Sequence, residues 1–435
     1  MFPNLLSIAI PLCFFLLQST FPLAINSPNP YSPQLDHIFV NCGASGSSIA
    51  VDTRQWIGDI GSKYINSLHG SKSKLISSKA NEQPLPDEIP YATARLSRWP
   101  FTYAFHVNPG QKLVRLHFYP VSYRGGFERS KSFFTVKAGP YTLLSNFSAS
   151  LTVDALGLKY LVKEYCVHVE EDQPLIVTFS PSQSGNSDDQ VYAFVNGIEI
   201  ISMPAALYHT GGGTPAALIS GEGDRFTIDK SIALEKVHRL NVGGSSISSI
   251  EDKGMFRDWY KDSNYLLEKS SVHPVTTTIQ IKYTSIPPYT APQKVYQTSW
   301  STVPDKKVSN TQFNFTWRLP VDLGFRYLLR FHFCELEYEI KKTGQKEFSI
   351  FVNKQVVEAK ADLVKWSGAS GVALYKDYVV MMDGDRMEGK HDLLIALRPH
   401  NHEWMQLIDA TLKGLEVFKL SNPPTKILLG LTQHR

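Results

Sequence analysis

Two histidines pose the first chemical question of this sequence. His117 lies in LVRLHFYP (Leu113–Pro120) and His332 in LLRFHFCE (Leu328–Glu335), two stretches alike enough to be one strand written twice. A zinc centre would need further Cys or His ligands at metal spacing beside them. None is there, so both read as strand histidines satisfied by hydrogen bonds. A serine hydrolase needs a nucleophile held in a Gly-x-Ser-x-Gly elbow, and SGEG at Ser220–Gly223 offers no such spacing. A kinase needs a glycine loop over phosphates, a strand lysine, a catalytic-loop aspartate and a metal-binding aspartate before Phe-Gly. VHRLNV at Val237–Val242 has the His-Arg, but Leu240 stands where the aspartate would be, and no Lys-Ser/Thr follows Gly211–Gly213 at phosphate-loop spacing. The acid pairs Glu335/Glu337 and Asp188/Asp189 could flank a glycosidic bond only at a fixed separation; on an outward strand face or in a loop they are solvated. The sequence therefore assigns no catalytic residue, no metal and no cofactor.

Binding without catalysis asks for less. Exposed rings lie against the apolar face of a sugar or peptide, and a few Asp, Asn or Arg groups take the polar atoms. The chain holds 20 Tyr and 7 Trp, and SYRGGF (Ser122–Phe127) and RDWYKDSNY (Arg257–Tyr265) could present them. A net charge of +4 over 435 residues, without a dense Lys/Arg tract, argues against nucleic acid.

The elements that would position such groups follow from periodicity. Val114, Leu116 and Phe118 alternate with Arg115, His117 and Tyr119, the period of a strand with one buried face. Asn196-Gly197 in FVNGIE signals a hairpin turn, and the best helical period covers Ser150–Leu161. At 435 residues the chain exceeds a single core. Five blocks recur in the same order, so the chain reads as a duplication: copy one over 36–205 and copy two over 236–420, each an antiparallel β-sandwich with its own sheet around its own Arg-x-His-Phe strand. Residues 206–235, with Gly211–Gly213, read as a loose linker, and 421–435 as a tail. Residues 1–24 carry an apolar run from Leu5 to Leu17 followed by small and polar residues, the pattern of a cleaved secretory signal. Export removes Cys13 and leaves Cys42, Cys166 and Cys334, which cannot all pair with one another. Their counterparts in the other copy are Val242, Val379 and Tyr119, so they read as buried small hydrophobes.

PYATARLSRWPFTYAF, KLVRLHFYP, GPYTLLSNFSAS, AFVNGIEIISMP, HRLNVGG, YLLRFHFCE and YKDYVV together resemble the tandem malectin-like ectodomain of FERONIA-type plant receptor kinases, over His37–Leu420. The resemblance implies an all-β fold of two tandem malectin-like antiparallel β-sandwiches. It also implies a cell-surface module that binds rapid alkalinization factor peptides with a GPI-anchored co-receptor, in company with related receptor kinases and in contact with pectin. Relatives continue past this point to a membrane helix and a kinase, which makes the chain a secreted ectodomain-type protein of the apoplast, or the plasma-membrane ectodomain of a truncated receptor kinase. A secreted form would take up peptide without signalling. The aromatic pair that holds sugar in the animal malectin falls here at Leu336-Glu337-Tyr338, with only Tyr338 aromatic, and at Pro120-Val121-Ser122 in the first copy, so peptide is preferred over pectin as ligand. By position in the family, contacts are expected at Gly243, Gly244, Arg257, Trp259, Tyr260 and Trp300. The sequons at Asn146 and Asn314 are expected to carry N-glycans after export.

Overall fold

Side-chain alternation and turn residues place eight long strands in the computed structural model, which describes residues 36–66, 75–80, 89–182, 190–210, 216–219, 224–302, 314–385, 389–401 and 408–421. The signal segment, Gly211–Gly213, Asp188, Asp189 and nearly all of the tail lie outside the described residues. In chain order the strands are β1 His37–Ser45, β2 Gly110–Phe118, β3 Leu161–Val169 and β4 Gly197–Ser202, then β5 Leu234–Asn241, β6 Phe325–Phe333, β7 Leu374–Met382 and β8 Gly414–Leu420. Hydrogen-bonded neighbours run β3–β2–β4–β1 in the first half and β7–β6–β8–β5 in the second, every pair antiparallel. One strand order therefore occurs twice.

The two Arg-x-His-Phe strands were expected in separate sheets, and they are not. Strand β3 pairs with β5 at Tyr165↔Glu235 and Cys166↔Leu234, which fuses the two sets into one sheet of 13 strands among the described residues. The physical reason is at the edges. Each four-strand set would otherwise end in a row of unpaired N–H and C=O groups, and pairing at these two positions satisfies part of that row.

Each half closes with a second layer. In the first, Tyr141–Phe147, Phe134–Ala138, Leu175–Pro181, Phe101–Phe105 and Ile65–Asn66 form a sheet over Val114, Leu116 and Phe118 of β2. In the second, Phe315–Asp322, Lys390–Pro399, Phe348–Val352 and Gln355–Ala361 cover Leu329, Phe331 and Phe333 of β6.

The other face of the long sheet was expected to meet water. Instead it is covered, and Arg115, His117, Arg330 and His332 are all buried. A third apolar cluster crosses the seam on the long sheet, with Leu113, Cys166 and Ile201 from the first half and Leu234, Leu328, Val379 and Phe418 from the second. Residues 206–235 are not loose where they are described. Leu207, Tyr208, Ile228 and Ile232 are buried, and Ala216–Ile219 pairs in parallel with β7.

Two local readings also change. The helix covers Ala149–Leu156, opened by the Ser148 hydroxyl accepting from the Leu151 N–H and closed by Gly157 at φ +65; Leu161 already belongs to β3. Asn196 makes no hairpin, because Ala193–Val195 pairs with Thr93–Ser97 in one sheet while Gly197–Ser202 continues in another. Its side chain pins that corner, accepting from the Tyr119 N–H at 2.7 Å and donating to the Thr93 carbonyl at 2.8 Å.

Candidate functional site

The six residues singled out for ligand contact separate into three places. Gly243 sits at φ +70 just past β5, and its N–H donates to Asp262 Oδ1 at 3.0 Å. The second oxygen of Asp262 accepts from the indoles of Trp300 (2.8 Å) and Trp317 (2.7 Å). Gly244 packs against Asn241 and Thr298. Gly243 and half-buried Trp300 thus meet at one carboxylate, whose pKa burial raises above the usual range, with Gly244 next in the chain.

Arg257 and Trp259 offer no surface to a ligand. Arg257 is fully buried; its guanidinium pairs with Asp252 and donates to Tyr208 Oη (2.9 Å) and to the carbonyls of Thr290 (3.1 Å) and Tyr289 (2.9 Å). An arginine so enclosed must find partners for all its donors, and these are what tie residues 208 and 289–290 to the sheet. Trp259 is equally buried, edge-on to His332 at 5.4 Å. Tyr260 stands apart, 50% exposed, at the seam.

A polar row that sequence reasoning did not assemble runs across the covered face of the long sheet. In the first half Tyr91 Oη meets His117 Nδ1 at 2.9 Å and His117 Nε2 meets Glu199 at 2.7 Å. In the second, Tyr296 Oη meets His332 Nδ1 at 3.0 Å and His332 Nε2 faces Glu416 at 3.4 Å. A tryptophan, Trp56 or Trp259, lies edge-on to each imidazole. Arg115 bridges Glu199 and Glu164, and Arg239 bridges Glu164 and Glu416. The row therefore crosses the seam at the Glu164–Arg239 pair, 2.7 Å apart. Burial opposes ionisation of Glu164, but Arg239 and Arg115 outweigh it and hold the carboxyl at about 2. Every member is enclosed, so the Tyr–His–Glu sets meet no substrate and serve to lock strands together. The signal was legible: Arg115/Arg330, His117/His332, Glu164/Asp377 and Glu199/Glu416 occupy matching positions of the repeated blocks.

On the opposite face Glu235 of β5 binds Lys163 at 2.6 Å and Lys419 at 3.0 Å, a second clasp across the same seam. At the loop end of the second half, Tyr338 is 82% exposed with the Lys341 ammonium 4.1 Å from its ring centroid. Asn146 is exposed, whereas Asn314 is half-buried and accepts from Arg398 Nε at 3.1 Å. Cys42, Cys166 and Cys334 are unpaired and buried, their thiols pushed up by burial. Among the described residues no group of three or more His, Cys, Asp or Glu could hold a metal, and no helix is long and apolar enough to cross a membrane.

The sequence profile of the malectin-like domain matches residues 40–420. The chain belongs to the malectin-like domain family. Of curated proteins, this malectin-like chain is 42% identical over 395 residues to the receptor-like protein kinase FERONIA of Arabidopsis thaliana, covering 90% of the chain and 43% of that protein. It is 33% identical over 419 residues to the receptor-like protein kinase ANXUR2 of the same plant, covering 94% and 45%. It thus spans less than half the length of these relatives. Among solved structures, that of the plant receptor-like kinase FER superposes at TM-score 0.78 with 41% identity, over 89% of this chain and 96% of that one. The complex of the plant peptide RALF23 with FER and LLG2 superposes at 0.77 with 41% identity, over 90% and 96%. The all-β malectin-like fold is shared throughout.

Proposed function

We propose that this malectin-like chain is an extracellular, non-catalytic receptor module that binds a secreted RALF-type peptide together with a partner of the LLG2 kind. One observation carries the reading: a solved FER chain, 96% of which this chain covers at 41% identity, is in complex with RALF23 and LLG2. The division into sandwiches over 36–205 and 236–420 is part of this proposal, with the second contributing the contacts. Of the six residues expected at the ligand, half-buried Gly244 and Trp300 and exposed Tyr260 keep surface for a contact, while Gly243 and Asp262 are enclosed. The buried groups give no route to chemistry, since the Tyr–His–Glu sets are closed to solvent.

The test is a titration of the purified chain with a RALF23-type peptide, with and without an LLG2-type partner. Peptide capture only when both are present supports the reading. No ternary complex at micromolar concentrations overturns it, and Trp300→Ala should weaken the complex about tenfold at a temperature where the variant, destabilised by loss of its hydrogen bond to Asp262, is still folded.

A further inference from the structure

An Asn or Asp directly before Gly carries chemistry of its own, because the glycine nitrogen has no side chain beside it to obstruct attack on the preceding side-chain carbonyl carbon. The sequence contains two such steps, Asn196-Gly197 and Asp383-Gly384. The fold treats them differently. Asn196 is fully buried and its amide is held by three hydrogen bonds: Oδ1 accepts from the Tyr119 N–H at 2.7 Å, and Nδ2 donates to the Thr93 carbonyl and to Tyr123 Oη, both at 2.8 Å. Gly197 pairs with Asn41 on one side and His117 on the other, and packs against Pro90 and Trp56. No room is left there for a ring to close.

Asp383-Gly384 lies just past β7, which ends at Met382, and both residues are exposed. Among the described residues the Asp383 carboxyl has no hydrogen-bond or ion-pair partner, and the Gly384 N–H has no acceptor. Gly384 takes φ +134, open to glycine without strain. The strand is held only as far as Met382, whose carbonyl accepts from the Gly324 N–H at 2.7 Å. Side-chain carbon and backbone nitrogen are therefore free to meet one residue beyond the last fixed point.

We propose that Asp383-Gly384 is a modification site, at which the folded chain forms isoaspartate without an enzyme. The Gly384 nitrogen attacks Cγ of the protonated Asp383 carboxyl. The N–Cγ bond forms, the N–H proton and the carboxyl hydroxyl leave as water, and a five-membered succinimide closes. Water then adds to one of the two ring carbonyls. Opening at Cγ restores aspartate; opening at the main-chain carbonyl carbon leaves Gly384 joined through Cγ, with the main-chain carboxylate free. One water is lost and one regained, so the product keeps the parent mass and no oxidant or cofactor takes part. The chain gains a methylene directly after Met382, and the freed carboxylate is the group that an isoaspartyl methyltransferase esterifies from S-adenosylmethionine.

The experiment holds the full chain, folded, for several weeks in mildly acidic and in neutral buffer and then digests it with trypsin. The peptide Asp377–Arg386 should appear as two species of equal mass. The second should resist cleavage before residue 383 by an aspartate-specific protease and accept a labelled methyl group from isoaspartyl methyltransferase. It should accumulate faster in the acidic buffer, because the hydroxyl leaves only from the protonated carboxyl. Asp383→Glu, which would have to close a six-membered ring, should abolish it. Gly384→Ala is not the control, since a Cβ there would lie 2.6 Å from Leu323 Cδ1. Asp383 is exposed, so the glutamate variant keeps the fold, and an unchanged melting temperature checks this. Absence of the second species from the folded chain overturns the proposal, whether or not the denatured chain converts. Conversion that survives Asp383→Glu also overturns it, and so does deamidation of Asn196 in the folded chain ahead of any change at Asp383.

Discussion

His238 shows how much one buried side chain dictates. It lies on β5, edge-on to Tyr265 at 5.1 Å, with Nε2–H donating to the Pro320 carbonyl at 3.1 Å. Burial, with Lys390 and Lys236 adding to it against that hydrogen bond, drives its pKa from 6.5 down to about 4. The sign follows from linkage. Below 6.5 the unfolded chain takes up a proton that the folded imidazole refuses until about 4, so stability falls as pH drops through that interval. The interval is worth about 3 kcal/mol at most. Glu164 and Glu235 act further down: ordinarily at 4.5, each is held at about 2 by its cations against burial, and their contribution is lost as pH falls from 4.5 toward 2. Denaturant titrations across pH should therefore show stability declining from just below neutrality, and His238→Gln should flatten the upper part of that decline. A slope unchanged in the variant would contradict this account.

At the scale of elements, the turn after β5 is the most constrained piece of the second half. A Cβ on Gly243 would lie 2.1 Å from the carbonyl carbon and oxygen of Ser299, and the residue also holds φ +70. Backbone cannot yield as the end of a side chain can, so Gly243→Ala should cost of order 3 kcal/mol and disturb the Asp262–Trp300 contact with it. A thermal melt within a degree or two of the parent would refute the close approach. The same strand shows where sequence was readable and where it was not. Periodicity found β2 and β6, because one side of each faces a purely apolar layer. It assigned their polar sides to water, because alternation reports chemical type and not what covers it: Arg115 and His117 are buried beneath Trp56, Tyr91 and Met255. Trp259 and Arg257 misled for the same reason. In a loop sequence, an aromatic beside an arginine has the composition of a contact surface, and only the third dimension shows that Asp252, Tyr208 and two carbonyls enclose it.

For the whole molecule the consequence lies in cooperativity. Two sandwiches joined by a linker would unfold separately, which is the ordinary expectation for tandem domains. Here three things cross the boundary together: the β3–β5 backbone pairing, the apolar cluster from Leu113 to Phe418, and the ion pairs Glu164–Arg239 and Lys163–Glu235 on opposite faces. Removing one partner of a buried charge network leaves the rest uncompensated, at a cost of about 3–5 kcal/mol. Arg239 is the critical member, since it is fully buried and holds Glu164 of the first half and Glu416 of the second at once. Calorimetry of the intact chain should therefore show one unfolding transition, and Arg239→Met should split it into two, because the variant keeps each core but loses the charge that binds them. Two resolved transitions in the parent would mean that the seam is too weak to couple the halves. A single transition that persists in the variant would shift the coupling to the apolar cluster, and the double change of Arg239 with Leu234→Ala would then have to separate the halves for a coupled seam to stand.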